Sequence, residues 1–244
     1  MPVVVDVVIP AHNEAESIGR VIREFATAMD RLPGARVRFI VCEDGSSDGT
    51  ADVVRELARE LPIELISSSE RKGYSRAVVD GLRAASARLV GFVDSDGQCD
   101  PSDFPKFLKA IGDADMVVGF RCPRRDPWYR LAMSRAFGVV YHRLFAVVLR
   151  DPSCPYLLVR KEALDRVLHG QLGVLSQGFW WEFQARASAV QIRVAEVPCQ
   201  HRSRLAGQTQ VYRPRSIPGI AGRHLVALFR LRRELRQHKN ARLT

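Results

Sequence analysis

Short apolar runs alternate with amphipathic segments along the first half of the chain. Val, Ile and Phe dominate the runs, which is typical of strands buried on both faces of a sheet. Strands are predicted at 3–10, 36–42, 63–67, 88–93 and 115–120. Between them, apolar residues recur at helical spacing, as at Ile18, Val21, Ile22, Phe25 and Met29. This alternation predicts an α/β fold with a mostly parallel sheet and helices on both faces.

The pattern changes after residue 120. A loop rich in Pro and Arg precedes an apolar helix at 131–149, a short strand within 151–164, a helix within 178–189 and a last strand within 192–202. No internal repeat or low-complexity linker interrupts the chain. We therefore predict one domain over 1–212, with halves at 1–120 and 121–212, followed by a basic tail at 213–244.

Three polar clusters follow predicted strands, at 10–14, 43–48 and 94–98. The carboxyl ends of parallel strands meet at one edge of a sheet, and ligands bind in the crevice outside that edge. We therefore expect the three clusters to form one site.

Two aspartates separated by a single residue, Asp94 and Asp96, follow the strand at 88–93. Residues i and i+2 of an extended chain point the same way, so both carboxylates would face one hard cation, Mg²⁺ or Mn²⁺. Such an ion offsets their repulsion and bridges the phosphates of a nucleoside diphosphate. Gln98, two residues further on, would add an oxygen ligand. A solvated polar turn is the alternative interpretation.

The composition is that of a globular protein, with 46% hydrophobic and 26% charged residues among 244. No stretch approaches the roughly 18 apolar residues of a membrane span, and the N-terminus lacks the features of a signal peptide. Five scattered cysteines predict reduced thiols in the cytosol rather than a zinc site.

The formal net charge of +10 is concentrated in the tail, where residues 213–244 hold nine basic residues and one acidic residue. This distribution argues against a nucleic-acid-binding body. A helix through 223–237 would align Leu225, Leu228, Phe229 and Leu235 on one face. A basic amphipathic helix of this kind predicts binding to an anionic membrane surface, or recruitment by a membrane partner protein. The alternatives are a solvated tail and a helix packed on the domain.

Four motifs, VVIPAHNE, VCEDGSSDGT, KGYSRAVVDGL and VDSDGQCDP, resemble in order and spacing those of glycosyltransferase family 2. The resemblance implies a GT-A, Rossmann-like fold that uses a nucleotide sugar and a divalent metal, Mg²⁺ or Mn²⁺. The residues that it implies for nucleotide-sugar binding are Pro10, His12, Glu14, Glu43, Asp44, Lys72, Asp94 and Asp96. Those implied for the metal are Asp94, Asp96 and Gln98.

The second half is similar to the dolichyl- and polyprenyl-phosphate sugar transferases of that family, in GFRCPRRDPWYR, DPSCPYLLVRKEAL, GFWWEF and VPCQHRSRLAGQT. The resemblance implies an inverting enzyme that carries mannose or glucose from GDP-mannose or UDP-glucose to polyprenyl phosphate. Its catalytic residues would be Asp94, Asp96, Arg121, Arg130 and Arg204, with the arginines facing phosphates. We expect it on the cytoplasmic face of a membrane, as a peripheral protein.

Three positions depart from that pattern: Glu43 replaces an aspartate, Gln210 replaces a lysine, and Ser153-Cys154-Pro155 replaces Ser-Gly-Phe. Two other functions stay open. A soluble family member acting on a hydroxyl acceptor would need a general base, for which Glu182 is the candidate. A non-catalytic nucleotide- or anion-binding protein is the third hypothesis.

Overall fold

The computed structural model describes residues 3–124, 128–169, 172, 173, 175, 178–204 and 217–241. The strands are β1 (Val3–Ala11), β2 (Ala35–Asp44), β3 (Ile63–Ser68), β4 (Leu89–Phe92), β5 (Met116–Arg121), β6 (Leu157–Arg160) and β7 (Val194–Cys199). The α-helices are α1 (Ala15–Asp30), α2 (Thr50–Leu57), α3 (Tyr74–Ala84), α4 (Phe104–Ala110), α5 (Trp128–Leu144), α6 (Lys161–Leu168), α7 (Phe179–Ala189) and α8 (Ile217–Ala241). A 3₁₀ turn at Pro101–Asp103 precedes α4.

The seven strands form one sheet in the order β3-β2-β1-β4-β6-β5-β7. Neighbouring strands are parallel except that β6 runs antiparallel to both β4 and β5. The predicted α/β class with a mostly parallel sheet is confirmed. The reversed direction of β6 was not predicted, because an apolar run indicates burial and carries no information on strand direction.

Helices cover both faces of the sheet, and each face has its own hydrophobic core. On one side, Phe25 of α1 packs against Phe39 of β2 and Phe104 of α4. On the other side, Trp180 and Phe183 of α7 pack near Phe92 of β4. The strands are therefore buried from both sides, as their continuous apolar runs require.

The C-terminal helix α8 packs on α5 and α7. Leu228 and Leu231 are completely buried, in a cluster that includes Tyr141, and Glu234 forms an ion pair with Arg186 over 3.0 Å. The predicted apolar stripe is therefore divided between two faces: Leu228 and Leu235 lie against the domain, whereas Leu225 and Phe229 are exposed. Positions 228 and 229 differ by about 100° around a helix, so one narrow face cannot hold both.

The helices of the described ranges include none that is both long enough and apolar enough to cross a membrane. All five cysteines are free thiols, and Cys122 is the exposed one.

Candidate active site

The edge of the sheet where β1, β2 and β4 end carries the three predicted polar clusters. Asp94 and Asp96 follow β4, but the chain turns at Ser95 and does not continue in the extended conformation that the sequence argument assumed. Gly97, with a φ of 73°, completes the turn, and the backbone N–H of Gln98 donates to Asp96 Oδ1 over 3.0 Å. The turn still keeps the two carboxylates close enough for their charges to interact.

The two carboxylates repel each other in a partly dehydrated site. Burial and the charge of Asp96 raise the pKa of Asp94 to about 7, although the hydroxyl of Tyr74 lowers it. Burial also raises the pKa of Asp96, against the lowering effects of the Gln98 N–H and Arg204. A divalent cation between the two would remove this unfavourable energy, because an opposite charge stabilises both ionised forms.

The donor atoms fit a hard divalent cation that is shared with a substrate. Within the described residues, no group of three or more His, Cys, Asp or Glu side chains is arranged to hold a metal by itself. Mg²⁺ and Mn²⁺ accept one or two carboxylates together with phosphate oxygens and water, so the pair Asp94 and Asp96 meets that requirement. Gln98 Nε2 lies 3.2 Å from His201 Nε2. This contact places His201, which sequence analysis missed, beside the predicted metal ligands.

Arg204 lies between two acidic clusters of the site. Its guanidinium donates to Glu14 Oε1 and lies 3.8 Å from Asp96 Oδ2. The preceding arginine, Arg202, pairs with Glu24 and with Asp100 and so anchors the segment. The structure therefore places two predicted residues, Glu14 and Arg204, in contact although they are 190 positions apart in the sequence.

Arg121 is held in place by an acidic partner. Its guanidinium donates to both carboxylate oxygens of Asp151, over 2.7 and 3.0 Å, and to the Ser153 hydroxyl. Burial alone would raise the pKa of Asp151, but the hydrogen bonds and charge of Arg121 lower it to about 2. Such a bidentate pair fixes the plane of the guanidinium. Arg130 belongs to α5, but its side chain and Gln210 lie outside the described residues.

The ends of β1 and β2 are tied to each other by hydrogen bonds. His12 Nδ1 lies 2.7 Å from the carbonyl oxygen of Asp44, and Pro10 pairs with Cys42 in the parallel ladder. Asp44 is buried, and it accepts hydrogen bonds from the backbone N–H groups of Lys72 and Gly73, over 2.6 and 2.8 Å. Its carboxylate therefore positions the loop that leads into α3.

The other acidic residues of this edge are also engaged. Glu43 is buried and accepts hydrogen bonds from the Ser46 backbone N–H and from the Ser67 hydroxyl. Lys72 Nζ lies 3.5 Å from Asp80, a surface ion pair. These contacts describe how the loops are held, and direct contact of Glu43, Asp44 and Lys72 with a nucleotide stays a prediction.

Gly45 lies where the loop after β2 passes the loop before α3. Its φ of 65° is in the left-handed region, and a Cβ atom there would lie 2.7 Å from the backbone of Glu70 and Arg71. Only glycine combines that conformation with so close an approach of two backbones. The glycine of the CEDGSSDGT motif therefore shapes this side of the site.

Glu182 is completely buried at the start of α7. Its carboxylate accepts hydrogen bonds from Arg186 Nε over 2.8 Å and from the backbone N–H groups of Gly173 and Leu175. A completely buried carboxylate held by these three donors is not free to contact an acceptor hydroxyl. This position argues against the hypothesis that Glu182 is the general base for a hydroxyl acceptor.

The arrangement combines an acidic pair that suits a metal diphosphate with two arginines, Arg121 and Arg204, that are held by Asp151 and Glu14. One further contact was missed from the sequence: the hydroxyl of Tyr74 donates to Asp94 Oδ1 over 2.8 Å. Local sequence gave no signal for this contact or for His201, because both depend on segments that meet only in the folded chain.

A family model described as glycosyl transferase family 2 matches residues 6–181. Among solved structures, the mannosyltransferase PcManGT from Pyrobaculum calidifontis, in complex with GDP-Man and Mn²⁺, is similar with a TM-score of 0.64 and 21% identity over 92% of this chain and 62% of that one. Glucosyl-3-phosphoglycerate synthase from Mycobacterium tuberculosis, in complex with Mn²⁺, UDP and glucosyl-3-phosphoglycerate, is similar with a TM-score of 0.62 and 20% identity over 94% and 79%.

S. aureus TarS 1–349 is similar with a TM-score of 0.59 and 18% identity over 81% of this chain and 58% of that one. This chain therefore spans less than two thirds of TarS 1–349 and of PcManGT. At these identities the likeness to solved structures establishes the fold, which is the GT-A arrangement. Because the family model covers the sequence from β1 into α7, the chain belongs to glycosyl transferase family 2.

Proposed function

We propose that this chain transfers a hexose from a nucleoside-diphosphate sugar to a polyprenyl phosphate at a membrane surface. The observation that carries the proposal is the contact of Arg204 with both Asp96 and Glu14 at the edge of the sheet that also carries Asp94. An acidic pair and an arginine in contact fit a reaction between two anionic substrates, since one binds a cation and the other binds phosphate.

Asp94 and Asp96, with Gln98 and His201 beside them, would hold the divalent cation that accompanies the donor diphosphate. When bound, that ion would neutralise charge on the diphosphate leaving group. The structural relatives PcManGT and glucosyl-3-phosphoglycerate synthase were solved with Mn²⁺, which supports a divalent cation in this family. GDP-mannose and UDP-glucose are the donors that we propose to test first.

A phosphate acceptor would remove the need for a general base. The acceptor oxygen of a phosphate monoester is already ionised near neutral pH, so its attack on the anomeric carbon needs no proton acceptor. The new carbon–oxygen bond forms as the bond to the diphosphate breaks, which inverts the anomeric centre. Arg121 and Arg204 would reduce the repulsion between the two phosphate groups.

The membrane part of the proposal rests on α8. Leu225, Val226 and Phe229 are exposed, with fractional exposures of 39%, 71% and 58%. Arg223, Arg230, Arg233 and Arg236 are also exposed on this helix. Apolar side chains surrounded by arginine suit the interface of an anionic leaflet, where each cation contributes roughly 1 kcal/mol.

The decisive experiment is transfer from labelled donor to organic-extractable product. The full chain, Mn²⁺, labelled GDP-mannose or UDP-glucose, and polyprenyl phosphate in detergent are expected to yield labelled lipid. Asp96→Asn should abolish transfer, whereas Asp113→Asn, an exposed aspartate outside the site, should not change it. Transfer to a saccharide or 3-phosphoglycerate hydroxyl in the same assay, with none to polyprenyl phosphate, would refute the proposed acceptor.

A further inference from the structure

Two consecutive hydrogen bonds connect Trp180 through Tyr74 to Asp94, in the loop after β4. Trp180 Nε1 lies 2.9 Å from the Tyr74 hydroxyl oxygen, and that hydroxyl lies 2.8 Å from Asp94 Oδ1. The three residues belong to α7, to the start of α3 and to the loop after β4. Neither tryptophan nor tyrosine belongs to the groups already assigned to donor, metal or acceptor.

The chemistry of the three groups sets the direction of every hydrogen bond. The indole N–H can only donate, so the Tyr74 oxygen accepts from Trp180. The single hydroxyl proton of Tyr74 is then directed to Asp94, which accepts it as the ionised carboxylate that a bound cation requires. Oδ1 of Asp94 is thereby committed to Tyr74. Oδ2, the other carboxylate oxygen, is the one that would bind a cation.

The two hydrogen-bond donors, Trp180 and Tyr74, are both held by rigid parts of the fold. Trp180 is 6% exposed, and its ring packs edge-on against Phe92 at a centroid distance of 4.4 Å. Tyr74 is the first residue of α3, directly after Gly73, whose backbone N–H donates to Asp44. The Tyr74 hydroxyl is therefore fixed on one side by the contact of Gly73 with Asp44 of β2, and on the other side by Trp180 of α7.

We propose that Tyr74, oriented by Trp180, is a positioning residue that fixes the Asp94 carboxylate for the divalent cation of the donor complex. The inference rests on the proposed function, because it assumes that Asp94 is a metal ligand. Partners that orient metal ligands typically change metal affinity or activity by 10–100-fold when they are removed. Tyr74 is 41% exposed, so its replacement by phenylalanine keeps the apolar packing and removes only the two hydrogen bonds of the hydroxyl.

The experiment measures Mn²⁺ affinity in the presence of GDP or UDP, by electron paramagnetic resonance, on the full chain. Tyr74→Phe is expected to weaken Mn²⁺ binding by about tenfold or more, with a small decrease in melting temperature because the Trp180 N–H loses its acceptor. In the transfer assay the same variant should need more Mn²⁺ for half-maximal rate, while saturating Mn²⁺ restores most of kcat. A purely structural role for the hydroxyl would lower the melting temperature and would not move the metal requirement.

Trp180→Phe should weaken Mn²⁺ binding less than Tyr74→Phe does, because Trp180 acts through Tyr74. For the same reason the double variant should bind Mn²⁺ no more weakly than Tyr74→Phe alone, a non-additivity expected of coupled residues. Trp181→Phe is the matched control, since the Trp181 ring packs against Phe137 and Tyr141 and not against Tyr74.

Equal Mn²⁺ affinity in wild type and Tyr74→Phe would overturn the inference and leave the proposed function standing. Failure of the wild type to bind Mn²⁺ with either nucleotide would instead overturn the proposed function. If Tyr74→Phe does not fold, Trp180→Phe tests the inference instead. Unchanged Mn²⁺ affinity in that variant would refute the positioning role.

Discussion

Arg204 Nη1 lies 3.8 Å from Asp96 Oδ2, although the two residues come from opposite halves of the sequence. The same guanidinium pairs with Glu14. A fixed cation therefore already offsets part of the negative charge at the proposed metal site. The contact also gives the segment after β7 a direct part in that site.

Replacing Arg204 with glutamine is expected to lower kcat/KM for sugar transfer by about a hundredfold or more. Under the proposed function the Arg204 charge stabilises the reacting phosphates, and in a partly buried site such a charge contributes more than it would in water. Steady-state kinetics over a range of donor and acceptor concentrations measure the effect. Arg202→Gln is the comparison: it loses ion pairs with Glu24 and Asp100, so it should reduce stability and change kcat/KM much less. Equal kinetic losses in the two variants would contradict the assignment.

The Arg121–Asp151 pair predicts a specific acid sensitivity. The pKa of Asp151 in the folded protein is lowered to about 2, below its unfolded value near 4. Its contribution to the free energy of unfolding is therefore complete above pH 4 and disappears as the pH falls through about 2. This contribution is on the order of 2 kcal/mol.

Urea unfolding between pH 7 and pH 2 tests that contribution. Asp151→Asn should be less stable than wild type at pH 7, by about 3 kcal/mol or more, because it leaves the Arg121 charge without its buried partner. The difference should shrink toward pH 2. Asp115→Asn, which breaks a pair with the largely exposed Arg193, should cost much less because solvent screens that pair. A pH-independent difference between Asp151→Asn and wild type would rule out the linkage.

Substituting Glu182 separates a structural role from a catalytic one. Glu182→Gln should lower the free energy of unfolding by about 2 kcal/mol, since Arg186 loses a buried charged partner but keeps its ion pair with Glu234. The specific activity of the folded protein should stay within a few fold of wild type. Thermal unfolding and transfer assays on the same preparation distinguish the structural role from the catalytic one. Normal stability with lost activity would instead favour Glu182 as a base and a hydroxyl acceptor.

The two faces of α8 predict opposite effects of neighbouring substitutions. Phe229→Ser should reduce co-sedimentation with vesicles that contain phosphatidylglycerol and leave stability unchanged, because Phe229 is 58% exposed. Leu228→Ala should lower stability by about 2–5 kcal/mol, because Leu228 is fully buried against α5 and α7. Unaltered vesicle binding by Phe229→Ser would remove the support that α8 lends to a membrane location.

Much of the site could be predicted because its residues follow apolar runs. Each run identifies a buried strand, and in a parallel sheet the ends of such strands share an edge, so Glu14, Asp44 and Asp94 were expected together. The backbone conformation and the hydrogen-bond partners at each strand end could not be predicted from the sequence. Asp96 lies in a turn, and Asp44 is occupied by the loop before α3, since backbone N–H groups compete for the same carboxylates.

Local sequence patterns could not identify the side chains that orient the site. Asp151, His201 and Trp180 gain their roles only from neighbours that the fold supplies. The helical spacing in the tail likewise identified an amphipathic helix, yet which of its faces is covered depends on the shape of α5 and α7.

The sequence by itself determined the alternation of strands and helices, the edge of the sheet that carries the acidic residues, and the family. Hydrophobic burial and strand-end polarity are local properties, and a linear pattern of residues records them. Only the tertiary structure decided the direction of β6, the partners of Arg121 and Arg204, and the link from Trp180 through Tyr74 to Asp94. These features depend on distances between segments far apart in the chain, and such distances are set by packing of the whole domain.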